Sequence, residues 1–172
     1  MPIHLSQRKS PRLQGYNYAD EGAYFVTIAT MKRQHLFGKV VDSEMRLSAL
    51  GKVVQARWVA IPDHHAHVAL DAFVVMPNHV HGIVIITKST IGTKPTSSAS
   101  NTNNINSDNA GVVPTLGTVI GSYKSSVTRV ARQEGIIDSS PWQTRYHDHI
   151  IRDERGLNTI RAYVATNPSR WQ

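Results

Sequence analysis

Apolar residues along the chain switch between a period of two and a period of three to four, and the switches mark the elements. AYFVTIAT, residues 23–30, is apolar and β-rich and predicts a first strand after SQRKSPRLQGYNYADEG, a basic lead-in without a clean period. FGKVVDSEMRLS, residues 37–48, reads as a short ribbon or loop. From Ser48 to Ile61 the apolar positions Leu50, Val53, Val54 and Trp58 fall three to four apart and Pro62 follows, which predicts a helix packed on a sheet. HVALDAFVVM and HVHGIVIIT are two β-rich runs divided by Pro77 and Asn78, turn residues placed where antiparallel strands reverse. A helical period returns through Leu116, Val119, Ile120, Val127 and Val130, with Lys124, Arg129 and Arg132 interleaved as a basic side. WQTRYHDHIIRD then supplies a short strand. ERGLNTIRAYVATNPSRW supplies a final helix with Leu157, Ile160 and Val164 on its apolar face, stopping near Pro168.

Between the hairpin and the second helix, residues 88–112 are mostly Ser, Thr and Asn and bury too little apolar surface to offset the entropy of ordering. They are expected to be a flexible loop inserted in one domain spanning residues 1–172. Strand, helix, strand, strand, helix, strand, helix is the order of an α+β domain on an antiparallel sheet, and a ferredoxin-like topology is the expectation.

The 172 residues carry a formal charge of +7, with cations spread from Arg8 to Arg170. That distribution favours an anionic partner along a folded surface, nucleic acid first. No cysteine is present, which excludes disulfides, thiolate metal sites, iron–sulfur clusters and a cysteine nucleophile. Any metal must then use His, carboxylate or amide donors. MPIHLSQRKSPR lacks the apolar stretch of a signal peptide, and no run approaches the roughly 18 apolar residues that span a bilayer, so a cytoplasmic protein with no membrane partner is expected.

The candidate chemistry starts at VVMPNHVHGIVII. In a strand His79 and His81 share one face, about 7 Å apart at Cα, while Val80 points to the other. Two imidazoles so placed can converge on one ion, or can simply close a hairpin and meet solvent; spacing does not decide. His65 and His67, with His64 adjacent, repeat the spacing in PDHHAHVAL, in what reads as an exposed turn. His147 and His149 flank Asp148 in YHDHIIRD, where facing DNA, supporting a ligand and ligating a metal all remain open.

VVMPNHVHGIVII resembles the histidine, bulky hydrophobe, histidine signature of single-strand DNA transposases with one catalytic tyrosine, the HUH type. GAYFVTIATMKRQHLFG, GSYKSSVTR and WQTRYHDHIIRDERGLNTIRAYVATNPSRW are similar to the same family in the same order, so the resemblance covers nearly all of the chain outside residues 88–112. Within that type the chain resembles the REP-associated tyrosine transposases and their insertion-sequence relatives. The resemblance implies that His79 and His81, with Asn167 on the last helix, hold a divalent cation, Mg²⁺ or Mn²⁺, and that Tyr163 is the nucleophile. Tyr163 and Asn167 in RAYVATNP stand four apart, neighbours on one helix face. Tyr123 is the competing nucleophile, although Val127 occupies the place four residues on; Tyr146 is a remote third.

The reaction so implied is strand cleavage by transesterification through a 5′-phosphotyrosine, with rejoining by a 3′-OH. The implied partner is single-stranded or hairpin DNA at the ends of mobile or repetitive elements, bound by a monomer or a homodimer. Arg8, Lys9, Arg12, Lys124, Arg129, Arg145 and Arg152 are candidates to track phosphates, and Trp142 and Tyr146 to stack on unpaired bases. Two other readings stay open: a domesticated DNA-binding protein of this fold without cleavage, and a metal-dependent phosphoesterase acting on a small substrate.

Overall fold

The computed structural model describes residues 21–87 and 113–171. Arg8, Lys9, Arg12 and the loop expected at 88–112 lie outside the described residues. Strand β1 (Gly22–Ala29) leads into a ribbon of β2 (Gly38–Val41) and β3 (Glu44–Leu47), then to helices α1 (Ala49–Val59) and α2 (Ile61–His64). The hairpin of β4 (Val68–Met76) and β5 (His79–Ile86) follows, then α3 (Leu116–Gln133), β6 (His147–Ile151) and α4 (Glu154–Thr166).

The large sheet runs β4-β5-β1-β6 and every neighbouring pair is antiparallel. Helical crossovers join β1 to β4 and β5 to β6, so the arrangement is the ferredoxin-like α+β fold the sequence led one to expect. The ribbon β2–β3 forms a separate two-stranded sheet. It reverses through Asp42 and Ser43, both left-handed with φ of 53° and 63°, as a two-residue hairpin turn requires. Pro62 does not end the helical region. It stands in the first turn of α2, where its missing N–H leaves no bond unmade.

Side chains at the helix starts explain where the helices begin. The Ser48 hydroxyl accepts from Gly51 N, Thr115 from Thr118 N, and the Asp153 carboxylate from Gly156 N, each satisfying a backbone donor that the first turn leaves open.

Alternation then divides the sheet. Tyr24, Val26 and Ile28 of β1 and Val80, Val84 and Ile86 of β5 are buried against Val54 and Trp58 of α1 and Val119, Ile120 and Val127 of α3. Gly82 sets how closely α1 approaches: a Cβ there would lie 2.2 Å from Cζ2 of Trp58. The opposite face carries Thr27, Ala29, His79 and His81 and is turned toward α4. An ion pair ties α4 to β4, the Arg161 guanidinium donating to both carboxylate oxygens of Asp71 at 2.9 and 2.6 Å beside the register shift between Leu70 and Phe73. Among the described residues no helix is long and apolar enough to cross a membrane.

Candidate active site

The register of β5 puts His79 opposite Ala29 and His81 opposite Thr27, with the two imidazole centroids 4.4 Å apart. Val80 is fully buried on the other face and anchors the strand between them. Helix α4 brings its last turns to the same place. The Tyr163 phenol oxygen lies 3.4 Å from His81 Nε2, its ring set edge-on to Phe25. Asn167, 8% exposed, caps the end of α4 one turn later, and Pro168 then forces the chain into a short turn that carries Arg170 and Trp171. His79, His81, Tyr163 and Asn167 line one cavity of about 390 Å³, together with Thr27, Arg33, Arg170 and Trp171. Tyr163 is 40% exposed, so its hydroxyl is reachable by a large substrate.

Hydrogen bonds set which imidazole nitrogens are free. The Asn78 amide nitrogen donates to the Arg33 carbonyl at 3.2 Å, which turns the amide oxygen toward His79 Nδ1 at 2.7 Å. His79 therefore donates from Nδ1 and keeps a lone pair on Nε2. His81 Nδ1 sits 2.9 Å from Thr27 Oγ1, leaving Nε2 toward Tyr163. Burial, with the Arg33 charge nearby, lowers the His79 pKa from 6.5 to about 4. Burial followed by the charges of His79 and Arg33 takes His81 to about 3, against a hydrogen bond to the Val26 backbone that works upward. Both rings are neutral near pH 7 and able to ligate.

Among the described residues no three His, Cys, Asp or Glu side chains are placed to hold a metal ion together. The donors gathered here are two imidazoles and the Asn167 amide, all uncharged. That set fits a divalent cation that takes its anionic ligands from a substrate, and it is too weakly charged to be a strong resident site by itself.

The other candidates are placed differently. Tyr123 is not at the site: it lies on the α1 side of the sheet, buried against Trp58 and Trp142, with its hydroxyl donating to the Val54 carbonyl at 3.2 Å and burial pushing its pKa well above 10.0. Trp142 is also a core residue, 3% exposed with Nε1 donating to the Lys124 carbonyl, so its ring is not presented for base stacking. Lys124 is half-buried and donates to the carbonyls of Gln143 and Thr144 at 2.6 and 3.2 Å. It shares a groove along α3 with Arg129 and Arg132, away from the histidine cavity. Arg145 and Arg152 are exposed and Tyr146 half-buried against the core; none of the three lines the cavity. His64 and His65 face Ser122 and Ser126 of α3, on the far side of the sheet from Tyr163. His147 and His149 stand exposed on edge strand β6, paired with Thr27 and Phe25.

Sequence reasoning missed Thr27, Arg33, Asn78, Arg170 and Trp171 as parts of the site. Arg33 lies in TMKRQ, which has no period to place it, and Asn78 reads from sequence only as a turn residue. Asn78 adjoins His79, and that adjacency was the one available signal.

No protein-family model matches the chain. An uncharacterized protein of Haemophilus influenzae strain Rd is 36% identical over 168 residues, covering 98% of this chain and 92% of its own. A solved structure of a REP-associated tyrosine transposase bound to a REP hairpin superposes with a TM-score of 0.54 at 15% identity, covering 92% of this chain and 74% of that one. At that identity the likeness is one of fold. A candidate transposase from Deinococcus radiodurans is more distant, 14% identical with a TM-score of 0.47, over 90% of this chain and 95% of its own.

Proposed function

The chain belongs to one family with the Haemophilus influenzae protein and has the fold of a REP-associated tyrosine transposase, and from this we propose that it is a cytoplasmic, metal-dependent transposase that cleaves and rejoins single-stranded DNA through Tyr163. One observation carries the reading: α4 delivers a reachable phenol and a buried amide into the same cavity as two neutral imidazoles on β5. Each group has a task in phosphoryl transfer, and the cavity's open side suits a polymer better than a small ester.

The Tyr163 oxygen attacks the phosphorus of a DNA phosphodiester. Its bond to phosphorus forms as the bond to the 3′ oxygen breaks; the phenol proton passes to solvent and the departing oxygen takes one up as a 3′-OH. The product is a 5′-phosphotyrosine, and attack by another 3′-OH reverses the step and joins strands, so no external energy source is needed. Nε2 of His79, Nε2 of His81 and the Asn167 amide oxygen are the groups that would hold Mg²⁺ or Mn²⁺. When bound, the cation supplies Lewis-acid polarisation of the phosphate, worth several kcal/mol at the transition state. His81 Nε2 lies 3.4 Å from the phenol oxygen, yet an imidazole whose pKa burial lowers to about 3 is a poor proton acceptor at neutral pH and keeps its lone pair for a ligand role. Asn78 and Thr27 hold the two rings in the orientations that role needs.

The substrate proposed is a DNA hairpin with a single-stranded flank at the end of a repetitive or mobile element, in keeping with the hairpin bound by the transposase of like fold. The test is incubation with hairpin DNAs carrying randomised single-stranded flanks and Mn²⁺ or Mg²⁺. An adduct surviving SDS supports the reading. Binding without an adduct supports the domesticated DNA-binding protein, and turnover of small phosphodiesters without an adduct supports the phosphoesterase.

A further inference from the structure

Beside the cavity, the chain turns through Met31–Arg33 with two consecutive non-glycine residues in left-handed backbone, Lys32 at φ 53° and Arg33 at φ 56°. A Cβ makes that conformation unfavourable, and neither Lys nor Arg has the short polar side chain that eases it. The other such pair, Asp42 and Ser43, is accounted for by the β2–β3 reversal. At Lys32 and Arg33 no strand pair is reversed; the turn closes with Gln34 N–H donating to the Met31 carbonyl at 3.2 Å, and it is pinned from outside as well.

Five hydrogen bonds hold it. Buried Thr30 donates its backbone N–H to the Asn78 carbonyl at 2.9 Å, and its hydroxyl spans the carbonyls of Gln34 and Asn78 at 2.7 and 3.1 Å. Met31 N donates to the Pro141 carbonyl at 2.7 Å, and the Asn78 amide donates to the Arg33 carbonyl. The amide that orients His79 therefore also fixes the backbone of Arg33. Strain kept by so many bonds beside a cavity points to a side chain whose placement matters.

What the turn achieves is to put a guanidinium on the cavity wall with His79, His81 and Tyr163. Among the described residues no carboxylate lines that cavity and Arg33 has no acidic partner. Its charge reaches both imidazoles. A guanidinium beside a cation site would only repel the cation, unless an anion lies between them and answers both charges. A phosphate does so, and the guanidinium fork matches two of its oxygens.

We infer that Arg33 is the phosphate clamp of this site, holding the non-bridging oxygens of the DNA phosphate presented to Tyr163, and that the left-handed turn serves to aim it. The inference rests on the reading of the cavity as a DNA-cleavage site. It makes Arg33 a residue that touches substrate, whereas Asn78 and Thr30 position it.

The experiment has two arms. Binding of the hairpin DNAs with randomised flanks is measured against salt in a Tyr163→Phe background, which cannot form the adduct. Each single-strand phosphate neutralised contributes about 0.7 to the slope of log K against log salt, so Arg33→Ala is expected to lower the slope by about that amount and Arg33→Lys to keep it. In the second arm, with Tyr163 present, Arg33→Ala slows adduct formation about 100-fold and Arg33→Lys about tenfold, because lysine keeps the charge without the fork. Arg33→Gly separates clamp from scaffold: it relaxes the left-handed backbone, so its unfolding midpoint rises while slope and rate fall as in Arg33→Ala. An unchanged salt slope in Arg33→Gly and Arg33→Ala, or an adduct rate within threefold of the parent, overturns the inference. Should no DNA form an adduct, the cleavage reading falls, and the salt slope still decides whether Arg33 holds a phosphate.

Discussion

Tyr163 and His81 meet across the gap between α4 and β5, phenol oxygen to Nε2 at 3.4 Å, although 82 positions separate them in the chain. Neither local element accounts for that meeting. It depends on β5 lying inside the sheet with its histidines on the face away from α1, and on α4 crossing that face, where Arg161 pairs with Asp71 of β4.

The burial of Tyr123 gives the sharpest contrast between the two helical tyrosines. Tyr123→Phe removes a buried hydroxyl bonded to the Val54 carbonyl and should cost about 1 kcal/mol in urea denaturation. Its adduct rate is expected to stay within threefold of wild type. A large loss of rate with unchanged stability would return Tyr123 to the chemistry.

Asn78 orients His79 and holds the Arg33 carbonyl through a single amide. Asn78→Ala frees the imidazole to rotate and change tautomer, and losses of ten- to a hundredfold in metal affinity are the usual result of removing such a partner. The measurement is free Mn²⁺ by electron paramagnetic resonance during titration of the protein–DNA complex. Affinity equal to wild type would mean that His79 needs no support or does not ligate.

The two imidazoles also leave a signature in the metal-free protein. In the unfolded chain they take up protons near pH 6.5, whereas the folded state resists until about 4 for His79 and about 3 for His81. The unfolded state thus binds more protons in this window, so stability is fully present above pH 6.5 and falls as pH drops toward 4, by at most about 2 kcal/mol per imidazole at pH 5. Urea denaturation in EDTA at pH 7 and pH 5 should show a smaller drop for His79→Gln/His81→Gln than for wild type. Equal drops would contradict the burial of the pair.

Gly82 is where packing and site meet, because it lies one residue beyond His81 under the Trp58 indole. Gly82→Ala has no room for its methyl group and should destabilise by about 1–3 kcal/mol, read from the urea midpoint. A neutral result would mean that α1 is free to retreat from β5.

Much of this was legible in the chain because its signals are local. Period and punctuation located β1, β4, β5 and β6, the three long helices and the Pro77–Asn78 reversal, left β2 and β3 as a ribbon or loop, and alternation alone put His79 and His81 on one face with Val80 on the other. The pairing of that face with Tyr163 and Asn167 came from resemblance, since no local pattern says which helix covers which side of a sheet. Tyr123 stood as the competing nucleophile for the same reason: helical spacing gives a stripe, and tertiary packing decides which part of it is buried. Trp142, in the loop before β6, has no period at all, and only its packing against Tyr123 and Phe37 shows that it is core. Arg33 was invisible because its position depends on a left-handed turn held by Thr30 and Asn78, a long-range network with no sequence period.

The central claim is tested most directly by digesting the SDS-resistant adduct and mapping the nucleotide-bearing peptide by tandem mass spectrometry. Phosphodiester-linked nucleotide on Tyr163, in the peptide containing AYVATNP, is the expected result, together with loss of the adduct in Tyr163→Phe. Nucleotide on any other residue, or an undiminished adduct in Tyr163→Phe, would contradict it.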